Sequence, residues 1–361
     1  MEWVHTCPRL ERPPGAALRR DGCNYNAAVL VSSSAPTRID LAGGTLDIWP
    51  LYLFHPGAQT VNAALGIRAS CTVRSRNDNR VVLRSSDTGL TLEAEDWQSL
   101  GTEGDGRLLA HLGRFFELSG VEVTTNSGSP MGAGIAGSSA LTVAVCAALT
   151  RWQRRSLSPD QLLTLAMNLE ARTLGIPTGV QDYRPALYGG VSAVELGPLG
   201  VERIPLEVDV AELERRLVLC YSGNSRSSGL NNWDITRRHI EGDEALAAHF
   251  TALRDIAAET RQALNTHNWH ELARQMSREW DTRQALAPGV TTPAIDRILS
   301  ASRAAGAMSG KVCGAGGGGC VCLLIDPDRR DDVYRSLVDS KAHVLECRID
   351  TDGLRVDATE D

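Results

Sequence analysis

The chain has 361 residues with a formal net charge of −7, and 42% of its residues are hydrophobic. This length is too great for one ordinary hydrophobic core, so we expect a globular protein of two domains. The charges are interspersed and the apolar runs fall short of the roughly 20 residues that span a bilayer, so neither nucleic acid nor a membrane is an expected partner.

The first 28 residues differ in composition from the rest of the chain. They are rich in Arg and Pro and show no periodicity, which predicts an N-terminal extension of low order over residues 1–28. They also lack the apolar region of a secretion signal. We therefore expect a soluble, cytoplasmic protein.

Residues 29–208 are predicted to form the first domain, because runs of β-branched, partly alternating residues are typical of strands. The predicted strands are residues 28–44, 67–75, 80–86, 89–95, 121–127, 189–196 and 201–208. The predicted helices are residues 107–118, 137–155 and 158–175, and Ser158 is the predicted N-cap of the last one.

Residues 209–361 are predicted to form the second domain. It begins with a strand, continues through long helical segments between about 240 and 280, and contains a glycine-rich turn before its last helix and strand. Strands and helices are mixed without a regular βαβ alternation, which predicts an α+β fold for both domains.

The stretch SPMGAGIAGSSALTVAVCAAL, residues 129–149, changes from small residues to an apolar helix after Ser139. A helix N-terminus carries unpaired N–H groups and partial positive charge, so a backbone without bulky side chains there can bind phosphate. Ser138 and Ser139 either cap the helix or bind Mg²⁺. Neither the Walker pattern nor the dinucleotide fingerprint is present, so the stretch alone also fits a helix packed closely through small residues.

Two further motifs accompany this loop. APTRIDLAGGTLDIWPLY places Arg38 and Asp47 nine residues apart around a Gly-Gly turn, and GKVCGAGGGGCVCLL is a second glycine-rich turn. With all three motifs in this order, residues 31–350 resemble the GHMP kinases, the superfamily of galactokinase, homoserine kinase, mevalonate kinase and phosphomevalonate kinase. The resemblance implies a two-domain fold, with an N-terminal domain like the second domain of ribosomal protein S5 and a ferredoxin-like C-terminal domain.

The resemblance also implies ATP as cosubstrate. In this superfamily the first glycine-rich motif wraps the ATP phosphates, and the third packs beside it and helps to close the site. The residues so assigned to ATP are Gly132, Ala133, Gly134, Gly137, Ser138, Ser139, Gly316 and Gly317.

Glu170 and Asp182 are twelve residues apart, the spacing expected of galactokinase-like members. The resemblance implies that Glu170 and one of the two serines, Ser138 or Ser139, bind Mg²⁺. It also implies that Asp182 accepts the proton of the substrate hydroxyl, with Arg38 beside it. Outside the motif context, Glu170 would be a solvated residue at a helix end, Asp182 a turn cap and Arg38 a surface charge.

The acceptor side departs from galactokinases, which carry an acidic residue and a histidine at Gly44 and Thr45 and a glutamine at Tyr183. These departures argue against galactose, and we expect the three positions to contact a different sugar. Asp47 is retained and is expected to accept hydrogen bonds from two hydroxyls of a polyol ring.

Three cations are candidates for an acceptor that already carries phosphate: Arg184, Arg226 and Lys311. Lys311 is either a phosphate contact or an exposed lysine at a strand end. The polar segment 221–233, which contains Arg226, is either a lid that contacts the sugar or a loop that caps the next helix.

The glycine-rich turn and the GKxxGAGGGG ending look more like bacterial heptose kinases. The expected function is therefore ATP-dependent phosphorylation of the anomeric hydroxyl of a heptose or heptose 7-phosphate. Three alternatives remain open: another hexose or deoxy-sugar 1-kinase of the galactokinase type, a mevalonate-pathway kinase or related decarboxylase, and a sugar sensor without turnover. The sequence does not indicate an oligomeric state.

Overall fold

The protein is described by a computed structural model over residues 29–225 and 229–360. The predicted N-terminal extension, residues 1–28, and the candidate Arg226 lie outside these ranges. Within them, no helix is both long enough and apolar enough to cross a membrane.

The described strands form two sheets. The first-sheet strands are β1 (Val29–Ala42), β2 (Gln59–Ser75), β3 (Val81–Ser85), β4 (Leu90–Ala94), β5 (Val121–Asn126), β6 (Val191–Gly197), β7 (Gly200–Pro205) and β12 (Arg355–Glu360). The second-sheet strands are β8 (Leu217–Tyr221), β9 (Ala307–Val312), β10 (Cys320–Ile325) and β11 (His343–Leu345). The first sheet has eight strands in the order β12-β1-β2-β5-β3-β4, with β6 paired to both β2 and β7, and the second has the order β11-β8-β10-β9.

The helices surround these sheets. They are α1 (Arg107–Phe115), α2 (Gly137–Trp152), α3 (Pro159–Leu174), α4 (Tyr183–Tyr188), α5 (Val210–Arg216), α6 (Gly229–Ile240), α7 (Glu244–Asn265), α8 (Trp269–Gln284), α9 (Pro293–Ala304) and α10 (Arg330–Asp339). Short 3₁₀ helices occupy Leu51–Phe54 and Pro327–Arg329. The predicted N-cap of α3 is confirmed, because the Ser158 side chain accepts a hydrogen bond from the Gln161 N–H within a capping box.

The mixture of antiparallel strands and packed helices confirms the α+β fold. One boundary differs from the prediction. The last strand, β12, pairs antiparallel with β1 from Val29↔Glu360 to Ser34↔Arg355, so residues 355–360 belong to the first sheet and not to the second domain. The reason is that β1 would otherwise be an unpaired edge, which a complementary strand closes.

Helix α2 lies at the centre of the first domain. It carries no charge over its first fourteen residues and is buried along almost its whole length, against β1 and β2 on one side and α3 on the other. A helix that is apolar all round must be enclosed, and this burial anchors the loop at its N-terminus.

The two domains share a second core. Ile39 and Leu41 of β1 pack in one cluster with Leu217 and Leu219 of β8 and with Met276 of α8. A register shift between Asp40 and Ala42 alters the pairing of β1 with β2 at this point. The end of β1 is therefore held between the domains, where the candidate site lies.

Candidate active site

A cavity of about 340 Å³ lies where the end of β1, the loop before α2 and the segment before α4 meet. Most of the predicted site residues line it: Arg38, Thr45, Asp47, Gly132, Ala133, Gly134, Gly137, Ser138, Ser139, Glu170 and Asp182. Residues more than 140 positions apart are thus brought to one site by the fold.

The loop before α2 presents backbone to this cavity. Gly132 and Gly134 have φ angles of 68° and 77°, in the left-handed region that glycine adopts without strain. Ala136, the residue before α2, receives no side-chain cap. The alternative in which Ser138 or Ser139 caps the helix is therefore wrong, and the first-turn amides are available for an anion.

Glu170 is a buried carboxylate on α3 that faces three hydroxyl groups. The Tyr183 hydroxyl donates to it at 2.7 Å, and the Ser138 and Ser139 side chains lie beside it. Burial raises the pKa of Glu170, and the three hydroxyl groups oppose the shift. One carboxylate beside two cavity-lining hydroxyls is an all-oxygen donor set of the kind that Mg²⁺ takes together with phosphate oxygens, so the residues present fit that ion.

The prediction that Tyr183 contacts the substrate is wrong. Its side chain is completely buried and donates its hydroxyl to Glu170. Helix α4 begins at this residue, so the chain turns and sends the ring into the core of the first domain. The residue next to it, Asp182, lines the cavity instead.

Asp182 and Arg38 form an ion pair at the cavity wall. The Arg38 Nε lies 3.0 Å from Asp182 Oδ1, and Nη1 donates to the Gly134 carbonyl at 2.9 Å. The Arg38 side chain is 4% exposed and that of Asp182 is 25% exposed. Burial acts to lower the pKa of Arg38, but the charges of Asp182 and Asp40 raise it overall, so the guanidinium stays charged. Arg38 therefore links the carboxylate to the loop before α2.

Asp47 lines the same cavity as this carboxylate and is held by the segment before α4. The Gln181 backbone N–H donates to its Oδ2 at 3.0 Å and the Gln181 side-chain amide to Oδ1 at 3.3 Å. A Cβ on Gly179 would fall 2.1 Å from Oδ2, so only glycine fits there. Burial and the charge of Asp182 raise the pKa of Asp47 to about 6. Gln181 was not identified from the sequence.

Both alternatives for Lys311 are wrong, because it is completely buried and does not line the cavity. Its Nζ donates to Asp40 Oδ2 at 2.9 Å and lies 3.2 Å from Glu279 Oε1. Arg283 completes this cluster through its bonds to Glu279. Burial would raise the pKa of Asp40, but the neighbouring cations lower it well below its usual range. The four groups form a charge-balanced network between β1, α8 and β9.

Asp40, Glu279 and Arg283 were missed by sequence reasoning. Two signals could have found them. Asp40 is two residues after Arg38 and so lies on the same face of its strand, and Glu279 and Arg283 have the i, i+4 spacing of a helical ion pair. Arg184, a further candidate cation, is also buried and donates to the carbonyls of Val180 and Val201.

Three predicted glycines lie behind the cavity wall. A Cβ on Gly44 would lie 2.8 Å from Asp40 Oδ2, so this position is reserved for packing against the buried network. Gly316 and Gly317 pack against Val290, whose carbonyl accepts the Gly317 N–H at 2.7 Å. The chain between β9 and β10 lines the cavity at residues 314 and 315, and the assignment of Gly316 and Gly317 to ATP stays a prediction.

The third motif does pack beside the loop before α2, as expected. The Cys320 N–H donates to the Ala133 carbonyl at 2.7 Å, and a Cβ on Gly319 would lie 2.6 Å from the same oxygen. The two glycine-rich motifs are thus in backbone contact, which requires the absence of a side chain at Gly319.

Comparisons with known proteins agree with this architecture. The chain matches the family model of the GHMP kinases N terminal domain over residues 106–190 and that of the GHMP kinases C terminal domain over residues 260–343. The D-glycero-alpha-D-manno-heptose 7-phosphate kinase of Campylobacter jejuni is 27% identical over 337 residues, which cover 90% of this chain and 98% of that protein. The mevalonate kinase of Thermococcus onnurineus is 25% identical over 347 residues, covering 91% and 98%.

Among solved structures, a D-glycero-D-manno-heptose 1-phosphate kinase from Bacteroides thetaiotaomicron superimposes with a TM-score of 0.71 and 25% identity, over 90% of this chain and 98% of that one. Both halves of the chain thus match the same two-domain architecture. The chain therefore belongs to the GHMP kinases, ATP-dependent phosphotransferases with an alcohol group as acceptor.

Proposed function

We propose that the protein is a sugar kinase that transfers the γ-phosphoryl group of ATP to the anomeric hydroxyl of a heptose or heptose 7-phosphate, with Mg²⁺ as cofactor. The observation that carries the proposal is that Asp182, paired with Arg38, shares one cavity with Asp47 and with the uncapped start of α2. A phosphate site, a proton acceptor and a polyol-binding carboxylate are the three parts that a sugar kinase needs.

The uncapped start of α2 is the proposed site for the ATP phosphates. Free amides of its first turn and the positive end of the helix dipole attract a polyphosphate. The left-handed glycines of the loop let the chain curl around that anion. The Gly137 position supports this geometry, since a Cβ there would lie 2.3 Å from Ser129 Oγ in the same loop.

Glu170, Ser138 and Ser139 are the proposed protein ligands of Mg²⁺. When bound there, the ion neutralises charge on the phosphate oxygens. All three residues line the same cavity, so their oxygen atoms are available to one ion.

Replacing both serines by alanine should raise the Mg²⁺ concentration for half-maximal activity by roughly tenfold or more. The reason is that the double variant keeps only one of the three proposed side-chain ligands, Glu170. Ser127→Ala is the matched control, because Ser127 also lines the cavity but donates its hydroxyl to Asp87. A Mg²⁺ titration that gives the same midpoint for the double variant and the wild type would remove both serines from the metal site.

Asp182 is the proposed catalytic base. Its carboxylate orients the acceptor hydroxyl and takes its proton as the oxygen attacks the γ-phosphorus, while the ADP oxygen leaves on the opposite side. The Arg38 guanidinium keeps the carboxylate ionised and offsets negative charge on the transferring group. The bond from Arg38 to the Gly134 carbonyl fixes the distance between the base and the phosphate loop.

The charges of the cavity favour a hydroxyl group over a carboxylate next to Asp47. In the described part of the chain the carboxylates that line it are Asp47, Asp87, Asp105, Glu170 and Asp182, and the cations are Arg38 and Arg283. Both arginines are already paired with carboxylates. A carboxylate placed beside Asp47, such as that of mevalonate, would therefore meet repulsion, whereas sugar hydroxyls can donate to Asp47. The phosphate of a heptose 7-phosphate would need a cation outside this set, for which Arg226 is the candidate.

The heptose assignment is supported by the two heptose kinases that cover almost the whole chain. Contact of Arg226 with an acceptor phosphate stays a prediction, because this residue lies outside the described ranges. Asp47 is the proposed sugar contact within them, and Thr45 lines the cavity two residues before it.

The KM for the sugar should depend on pH through Asp47. Its pKa is raised to about 6, so below that pH the carboxyl binds a proton and accepts fewer hydroxyl hydrogen bonds. We expect KM for the sugar to rise as pH falls through 6 and Asp47→Asn to abolish that dependence, measured by initial rates from about pH 5 to 7. Because folding raises this pKa, the group also stabilises the fold less as pH rises from about 4 to 6.

The test of the proposed function is an ATP-consumption screen over free and phosphorylated hexoses and heptoses and over mevalonate, with NMR of the product to locate the new phosphate. Turnover of a heptose or its 7-phosphate at the anomeric hydroxyl is the expected result. Turnover of mevalonate alone would overturn the sugar assignment. Calorimetric binding of ATP and a sugar without product would identify a sensor instead of an enzyme.

A further inference from the structure

The turn that carries Asp47 has an unusual backbone. Thr45 has a φ of 76°, in the left-handed region. A β-branched side chain is rarely found there, and such a residue is strained unless its surroundings hold it in place. Thr45 lines the cavity two residues before Asp47, so whatever holds it also sets the position of the carboxylate.

Arg283 of α8 is the group that holds this turn. Its Nη1 donates to Thr45 Oγ1 at 3.2 Å and to the Gly314 carbonyl at 3.1 Å, and its Nη2 donates to the Gly44 carbonyl at 3.1 Å. The side chain is 1% exposed. One guanidinium thus joins the turn after β1 to the chain after β9, across the domain boundary.

The same side chain has no donor left for a ligand. A guanidinium carries five N–H donors. In Arg283 both Nη1 donors and one Nη2 donor bond to Thr45, Gly314 and Gly44. The other Nη2 donor and the Nε donor both bond to Glu279 Oε1. Although Arg283 lies at the cavity wall, it is therefore not a phosphate ligand.

We propose that Arg283 is a positioning residue for the sugar acceptor: it holds Thr45 in its left-handed conformation and thereby places the Asp47 carboxylate in the cavity. This inference rests on the proposed function, since it assigns Asp47 to the sugar. Glu279 and Asp40 supply the negative charge that lets the guanidinium be buried, and Lys311 balances the second carboxylate.

The first test replaces the guanidinium and keeps its charge. Arg283→Lys cannot make the five-bond pattern, so we expect the KM for the sugar to rise roughly tenfold or more while the KM for ATP stays within about twofold. The matched control is Arg68→Lys. Arg68 is also largely buried and ties Asp350, Ser34 and Gly353 together, but it does not line the cavity. Arg68→Lys should lower the unfolding midpoint in urea and leave the KM for the sugar and the KM for ATP within about twofold.

The second test leaves the buried cluster intact, in case Arg283→Lys does not fold. Thr45→Val removes the hydroxyl and keeps the strained, β-branched residue, so the KM for the sugar should rise. Thr45→Gly also removes the hydroxyl but adopts this φ without strain, so it should raise that KM less than Thr45→Val does. Equal losses in the two variants would mean that the hydroxyl binds the sugar directly, which would overturn the positioning role.

Failure of this inference is distinguishable from failure of the proposed function. If the wild type phosphorylates sugars and Arg283→Lys leaves the sugar KM unchanged, or raises both KM values alike, the inference is wrong. If the wild type phosphorylates no sugar, a crystal structure of Arg283→Lys decides: the inference requires Thr45 to leave the left-handed region, and retention of its φ would overturn it.

Discussion

Asp182→Asn should lower kcat by roughly 100-fold to 10,000-fold and leave the affinity for ATP within a few-fold. The amide keeps the size of the carboxylate but cannot accept the proton of the acceptor hydroxyl. It also leaves the charge of Arg38 without its partner at 3.0 Å. The proposed nucleotide site is the loop before α2, and this substitution changes no residue of that loop. Steady-state kinetics together with calorimetry of ATP binding would measure both effects.

Asp209→Asn is the matched control for this prediction. Asp209 also precedes a helix, but it caps α5 by accepting the Glu212 N–H and does not line the cavity. Asparagine is an equally good cap, so turnover should stay within about twofold. Turnover of Asp182→Asn near the wild-type rate would exclude this residue as the base.

Lys311→Met should destabilise the fold by roughly 3–5 kcal/mol, the cost of leaving a buried charge without its partner. Lys311 is completely buried, and its removal leaves Asp40 and Glu279 with Arg283 as the nearest remaining cation. The loss should appear as a lower urea midpoint with little change in slope. Asp40 also accepts the Gly314 N–H at 2.8 Å, so the second glycine-rich motif should loosen as well.

Lys341 provides the control, since it is the second of the two lysines in the sequence. It is exposed, and Lys341→Met should change the free energy of unfolding by less than about 0.5 kcal/mol. Equal stability of the two variants would show that the buried network contributes nothing to the fold.

Local patterns were enough to predict the parts of the site that lie within one segment of chain. The small residues before an apolar helix predicted the loop that lines the cavity, and the resemblance to the GHMP kinases placed Glu170 and Asp182 at the same site. Likewise, the predicted N-cap Ser158 located the start of α3.

The errors concern residues whose environment is set by distant parts of the chain. In the sequence Lys311 resembles an exposed lysine at a strand end, but in the structure it lies beside Glu279 of α8. Arg283 likewise resembles an ordinary helical arginine, but its side chain contacts the turn after β1. Tyr183 and Asp182 are adjacent at the start of α4, but the Tyr183 side chain is buried against Glu170, whereas Asp182 lines the cavity. No periodicity encodes which of two adjacent residues faces a cavity between domains.

The pairing of β12 with β1 bears on the order in which the molecule is assembled. Val29 pairs with Glu360, a separation of 331 residues, so β1 has an open edge until residues 355–360 have left the ribosome. Contacts of such long range form slowly, and an open edge can pair with other chains. We therefore expect chaperones to be most needed late in synthesis, and chains shortened before residue 355 to aggregate although their cavity-lining residues are all present.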